Sequence, residues 1–356
     1  MIFRENICIG TGFSALIINL ISKKKITFIS PSHELIKNLK DYKRRINLEK
    51  HKKIFSKNIK SYGKIDFFYD QNIILHDTLL HGGDTNLWGG FINISNLNRQ
   101  VLELLKENKI QVSDIKKNGE YYCADKNVFQ LKYQDKILNA SYLFKNYIIG
   151  YVTRLEIINK KLIKISYYRN NKLQTIFCKN LFIATGLVQL FEILSNSNFI
   201  KQNDIFTLYE FKNIFKITLK KKIEDTKNYI MRYSFSSALK HYLGLKKNYF
   251  KFLDIFLKIF VDQIILKTKQ SINLKFCNNS ISIYDKRKIN FGKSIHYSNL
   301  HINSININKH LKKINKNIYG ISKPFIVQNN PGPISNCIIN HVYKLLKKSN
   351  LQIRKV

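Results

Sequence analysis

The chain has 356 residues, 44% hydrophobic and 13% aromatic, with 61 Lys+Arg against 23 Asp+Glu and a formal net charge of +38. That length and apolar content exclude a disordered chain and predict a globular protein of two domains. The lysines are spread along nearly the whole chain beside abundant Asn and Ile, as A- and T-rich codons supply them. No nucleic-acid recognition motif accompanies them, so no specific nucleic-acid partner is expected.

The first informative stretch is Ile7-Cys8-Ile9-Gly10-Thr11-Gly12-Phe13-Ser14-Ala15. Ile7 to Ile9 read as a buried strand. Leu16, Ile17, Leu20 and Ile21 follow at helical spacing, Lys23 to Lys25 close the helix, and Ile26 to Ile29 read as a second, parallel strand. Gly10 permits a tight turn, Gly12 lets backbone approach a pyrophosphate, and Ala15 lets helix and strand pack closely. Phe13 and Ser14 open that helix beside the phosphates. The second strand ends on Ser30, where an acidic residue usually bonds the ribose hydroxyls; serine can do so only without charge assistance. The interrupted apolar run and the absence of a small-residue cleavage site argue against a signal peptide.

A Lys-rich insertion near 39–71 precedes Leu80-His81-Gly82-Gly83-Asp84-Thr85-Asn86-Leu87-Trp88-Gly89-Gly90, where two glycine pairs bracket the only tryptophan. So many glycines together imply backbone lying close to something, or several positive φ angles. Val101, Leu104 and Leu105 predict a small helical segment within 96–118. Residues 147–155, 162–168 and 173–177 read as a three-stranded meander with turns at Asn159-Lys160-Lys161 and Asn170-Asn171. It leads into Asn180-Leu181-Phe182-Ile183-Ala184-Thr185-Gly186, a buried strand ending in small residues. Residues 249–266 are rich in Phe, Ile and Leu but interrupted by Lys251, Asp254, Lys258 and Asp262. They fall short of the ~20 apolar residues that span a bilayer, so an amphipathic helix and no transmembrane segment are expected. Ile334, Ile338, Ile339, Val342, Leu345 and Leu346 predict a last helix. The five cysteines lie far apart, which suggests reduced thiols and a cytoplasmic setting. No metal site is expected.

The Gly82 to Gly90 stretch resembles the Gly-Gly-x-Ser/Thr-x-x-Trp-Gly-Gly signature of the glucose–methanol–choline (GMC) flavoprotein oxidoreductases. The resemblance extends in patches to both ends and the middle of the chain. Phe191-Glu192-Ile193-Leu194-Ser195-Asn196-Ser197 is similar to a helix tail of that family, Gly292-Lys293-Ser294-Ile295-His296-Tyr297-Ser298 to the sequence that holds its active-site histidine, and Asn329-Asn330-Pro331-Gly332-Pro333 to its closing pattern. The implied fold is α/β: a Rossmann-like FAD-binding domain with a three-stranded meander, formed by residues 1–199 and 291–356, and a smaller inserted substrate domain at 200–290. The resemblance implies FAD lined by Gly82, Gly83, Thr85, Asn86, Trp88 and Gly90. Ala184 and Gly186 would approach the adenosine end, with Val152 near the adenine. Ser322 and Pro331 would stand at the flavin end. Leu87 occupies the position of the His that bonds flavin covalently in some members, so non-covalent FAD is implied. Three departures, Ser30, Asp84 and Ser322, fall at ribose, ribityl or phosphate positions.

The implied reaction is oxidation of an alcohol, a sugar hydroxyl being one candidate, by hydride transfer to flavin N5, with electrons passed to an unidentified acceptor. His296 is the candidate base and Asn330 its partner at the substrate oxygen; His301 is the fallback. The departures leave a second reading open, a weakly flavin-binding or inactive relative serving as a carbohydrate- or lipid-binding or scaffold protein. Binding to DNA or RNA, measured by titration at rising salt, should be sequence-indifferent and vanish near physiological ionic strength. A salt-resistant, sequence-selective complex would overturn the first conclusion drawn from the charge.

Overall fold

The structure, a computed structural model, describes residues 2–31, 66–67, 81–86, 90–114, 121–123, 128–170, 172–219, 231–233, 261–277, 280–283, 297–327, 333–348 and 353–354. The elements that build the site are, in chain order, β1 (Phe3–Ile9), α1 (Phe13–Ile21), β2 (Thr27–Ser30), α2 (Arg99–Glu107), β3 (Ile148–Ile149), β4 (Tyr151–Asn159), β5 (Leu162–Arg169), β6 (Lys172–Ile183), α3 (Leu187–Asn196), α4 (Ile307–Ile314), β7 (Ile318–Gly320) and α5 (Ile334–Lys348). One sheet runs β4-β5-β6-β1-β2-β3, with β7 also paired to β6. β1 is parallel to both β2 and β6, and β4-β5-β6 is the antiparallel meander. The fold is therefore α/β with a Rossmann-like sheet and an attached meander, as the sequence predicts.

Side chains alternate across this sheet as its period of two requires. Ile7, Ile9, Leu181 and Ile183 join α3 in one core, while Cys8 and Phe182 join α1 and α5 in the other. α1 is apolar on nearly every side because it is buried between the sheet and α5. Its end is closed from far along the chain. Arg354 donates its backbone N–H to Ile21 O and its guanidinium Nε to Ser22 O, both at 2.9 Å, which satisfies carbonyls the helix leaves open.

Two expectations change. Residues 173–177 and 180–186, read as separate strands, belong largely to one continuous strand, β6, which ends at Ile183. The polar Asn180, which looks like a boundary, donates across to Asn6 Oδ1 at 2.9 Å, its register partner on β1. The amphipathic helix expected over 249–266 fails at its C-terminal end, because Val261–Cys277 is a strand. It pairs antiparallel with the strand Ile205–Leu219 from Ile205↔Lys275 to Leu219↔Val261, a non-local pairing that overrides local helical spacing. Residues 249–260 and most of 39–71 lie outside the described residues. The helix predicted within 96–118 is α2, followed by the strand Ile110–Ser113.

The long pair 205–219 and 261–277 belongs to an eight-stranded sheet that also takes in Tyr297–Ile302, alongside Ile205–Leu219. Its Phe206, Leu208, Leu300 and Ile302 pack in the same core as α3, with Phe191 and Phe206 edge-to-face at 4.7 Å. α3 also covers β4, the edge strand of the first sheet. Gln189 Nε2 donates to Val152 O at 3.2 Å, Asn196 Nδ2 to Thr153 O at 3.1 Å, and Leu155 N–H to Ser197 Oγ at 2.8 Å. These side chains replace the partner strand that the edge lacks.

On the same helix face, the buried Glu192 accepts a hydrogen bond from Tyr151 OH at Oε2, and its Oε1 has no partner among the described residues. Burial pushes its carboxyl up to about 8, against the smaller opposing effect of the Tyr151 bond. A raised carboxyl pKa stabilises the fold fully while the unfolded chain is also protonated, and that contribution is lost as pH rises from the ordinary carboxylate range to the folded value. Wild-type stability should therefore fall relative to Glu192→Gln between about pH 5 and 8, with a slope approaching 1.4 kcal/mol per pH unit. Thermal or urea melts of both proteins across that range check it; parallel profiles would refute an ionisable cause.

Candidate functional site

The C-terminal edge of the parallel strands gathers the glycines that the sequence singles out. After β1 the chain turns at Gly10, whose φ of +104° excludes ordinary side chains and whose Cβ would meet Ala184 O at 2.8 Å. Gly10 N–H donates to Ile29 O, and Ala184 N–H to Ile9 O, each at 2.8 Å, so the turn is wedged between β2 and β6. Gly12 is then the N-cap of α1, and Gly186 the N-cap of α3; no side chain caps either helix. Both positive helix ends thus face the same edge of the sheet.

Gly12 differs from Gly10 in an informative way. Its backbone, φ −74° and ψ −170°, suits any residue, and a Cβ there would meet only ordinary contacts, Gly82 O and Gly83 Cα at 3.8 Å. Among the described residues, packing does not require a glycine at this position. Phe13, Ser14 and Ala15 behind it are buried.

The His81–Gly83 turn lies against this one. A Cβ on Gly83, at φ +53°, would stand 3.2 Å from Gly12 Cα. Thr85 closes the second turn: its hydroxyl bonds Gly82 O and accepts Ala140 N–H at 2.9 Å. Gly90 has a packing reason of its own, because a Cβ at its φ of +68° would meet Ile137 Cγ2 at 2.9 Å. The side chains of Asp84 and Asn86, and all of Leu87, Trp88 and Gly89, lie outside the described residues. So do His296, Asn330 and Pro331.

Thr11, which the sequence reading passed over, joins the two turns. Its Oγ1 lies 2.7 Å from Ser30 Oγ and 2.8 Å from His81 Nδ1, and accepts Gly82 N–H at 3.1 Å. The His81 ring stacks on Tyr147 at 4.1 Å between centroids. Ser30 is buried with its hydroxyl directed to Thr11. Only the position of Thr11 between two glycines, and of His81 before two more, could have signalled this group. Val152 is buried on β4 with its carbonyl held by Gln189. Past β6, Ser322 Oγ donates to Thr185 O, while the buried Thr185 hydroxyl has no partner among the described residues. His301 bonds Asn299 Oδ1 through Nε2 at 3.0 Å and meets Tyr209 edge-on. Its neighbours Leu300 and Ile302 enter the core, which puts His301 on the opposite face of that sheet.

A glycine N-cap at the start of α1 with a second glycine turn against it offers bare backbone at a positive helix end, a combination whose chemistry suits the pyrophosphate of a dinucleotide. Among the described residues there is no cluster of three His, Cys, Asp or Glu side chains suited to a metal, and no helix long and apolar enough to cross a membrane.

No protein-family model and no curated protein matches the chain. Solved structures similar to it include pyridoxine 4-oxidase from Mesorbium loti, at 8% identity over 97% of this chain and 98% of that one, with a TM-score of 0.48. A geranylgeranyl bacteriochlorophyll reductase-like protein from Thermoplasma acidophilum aligns at 10% identity over 97% and 77%, with a TM-score of 0.38. A triple mutant of a flavin-dependent brominase aligns at 9% identity over 98% and 81%, with a TM-score of 0.32. The functional reading rests on the site itself.

The two glycines of the first turn should separate fold from binding. Gly10→Ala should destabilise by about 2 kcal/mol or more, since it adds a contact and a strained φ. Gly12→Ser should leave stability within about 0.5 kcal/mol, serine being a good N-cap, yet weaken dinucleotide binding at least tenfold. Melts and FAD titrations of both variants check this; Gly12→Ser binding as well as wild type would remove Gly12 from the site.

Proposed function

We propose that the chain is an FAD-dependent oxidoreductase of GMC type that oxidises an alcohol, a sugar hydroxyl being one candidate, and passes the electrons to a separate acceptor. The observation that carries the reading is the bare Gly12 at the uncapped start of α1, with the Gly82–Gly83 turn against it. Its resemblance to the family adds the flavin. In this reading residues 1–199 and 291–356 form the FAD domain and 200–290 the substrate domain, whose sheet the strand Tyr297–Ile302 extends.

When bound, the flavin supplies the hydride acceptor. Gly10, Gly12 and the first turn of α1 hold the diphosphate. Ala184, Gly186 and Val152 border the adenosine end, and Ser322 lies toward the flavin end. Trp88, Asn86 and Pro331 are assigned to the flavin by resemblance. Non-covalent attachment follows from Leu87. His296 takes the proton of the substrate hydroxyl, since imidazole titrates near working pH, and Asn330 holds the same oxygen. The thiols Cys8, Cys178 and Cys337, in no disulfide among the described residues, support a cytoplasmic setting.

One observation favours the second reading, a relative that holds flavin weakly. The end of β2 offers no carboxylate, and the Ser30 hydroxyl is already bonded to Thr11. The two readings part in an absorption spectrum. Protein incubated with FAD and desalted should keep visible flavin bands, and mild denaturation should release them. Colourless protein that takes up no added FAD sinks the proposal.

With flavin in place, His296→Ala should slow anaerobic flavin reduction by alcohol about 10²–10⁴-fold at unchanged flavin content, and Asn330→Ala should slow it less. Stopped-flow traces, with occupancy measured on the same samples, check this. Wild-type rates in both variants would place the base elsewhere.

A further inference from the structure

We infer that Thr11 is the positioning residue of the dinucleotide cradle, its hydroxyl clamping the Gly10–Gly12 turn to both the His81–Gly83 turn and the end of β2. The inference rests on the FAD reading and adds to it three residues, Thr11, His81 and Ser30, working as one unit.

A hydroxyl has one proton and two lone pairs. Gly82 N–H takes one lone pair of Thr11 Oγ1, so Ser30 and His81 share the other lone pair and the proton. The Thr11 hydroxyl is therefore saturated by three partners from two distant parts of the chain. All three bonds are buried, in a low-dielectric setting where each is strong and where its loss leaves a polar group stranded.

The clamp also sets where the ligand space lies. Gly83 stands against Gly12 because the Gly82 amide is tied to Thr11, the residue next to Gly12. His81 is held in turn by its stack on Tyr147, and Ser30 by Gly150 N–H, which donates to Ser30 O at 2.8 Å. An acidic side chain at the end of β2 would reach outward to a ribose. Here that position is turned inward, so the chain fixes the cradle from within and relies on backbone to hold the diphosphate.

The test compares Thr11→Val, which keeps the shape and removes the hydroxyl, with Thr11→Ser, which keeps the hydroxyl. Each folded apoprotein is titrated with FAD and followed by flavin fluorescence, beside a melt without flavin. Thr11→Val should weaken FAD at least tenfold, and Thr11→Ser should restore it to within about threefold of wild type. The Gly82 amide should exchange with deuterium faster in the valine variant only. His81→Phe keeps a ring on Tyr147 and removes one of the three bonds. Should Thr11→Val fail to fold, His81→Phe should still bind FAD about three- to tenfold more weakly.

Valine binding FAD within twofold of wild type overturns the inference, as does serine failing to rescue or His81→Phe binding at full strength. Wild-type protein that takes up no FAD overturns the cofactor reading itself, and that arm is read before any variant.

Discussion

β6 belongs to two pairing systems at once, and the placement of Gly10 and Gly186 depends on it. Its first half runs antiparallel to β5 from Arg169↔Lys172 to Ile163↔Cys178, while its second half runs parallel to β1 from Phe3↔Phe177 to Ile9↔Ile183. β7 takes the other side of the last three residues. A slip of one residue would exchange the faces of Leu181, Phe182 and Ile183, of which Leu181 and Ile183 are buried in one core and Phe182 in the other, so the register is strongly specified. Because β6 stops beside Ile9, Ala184 falls against Gly10 and Gly186 falls at the start of α3.

The parts legible in the sequence are those decided within a few residues. The β1-α1-β2 unit follows from an apolar run, two glycines and helical spacing, and α5 from its apolar stripe behind a proline. The parts that were not legible are decided by partners far away. Asn180 reads as a break until Asn6 stands opposite, 174 residues earlier. Residues 261–266 read as helix until 205–219 pair with them. Thr11 reads as a filler between glycines until His81 arrives from 70 positions on. In each case the missing information is a non-local contact, and local spacing contains none of it.

Buried polar groups serve the same purpose elsewhere in the fold. The Asn336 side chain accepts Asn93 N–H at 2.8 Å and donates to Asn93 O, and Ser335 Oγ donates to Phe91 O. The first turn of α5 is thereby fastened to the strand that follows Gly90. His341 Nε2 lies 2.9 Å from Gly320 O and fastens the same helix to β7. Such bonds are worth about 1 kcal/mol each in net stability, but they fix direction as burial of apolar area cannot. They bring the segment after the glycine–tryptophan stretch, the last parallel strand and the last helix together around one edge.

The large positive charge acts at a different level from this geometry. The described ion pairs are partly exposed and local: Glu5–Lys24, Arg99–Glu103, and Glu156 with Arg154 and Lys164. Pairs of this kind add little stability, and with 61 basic against 23 acidic side chains most of the positive charge has no acid to meet. The resulting field draws anions of every kind toward the surface, falls off within a Debye length and selects none of them. Selection needs a shaped site. Under the proposed reading that site is the glycine N-cap of α1 with the Gly82–Gly83 turn beside it, held in place by the Thr11 hydroxyl. In the proposed reading, long-range charge gathers anions without selecting among them, and the choice of a dinucleotide falls to the short-range geometry of the glycine turns.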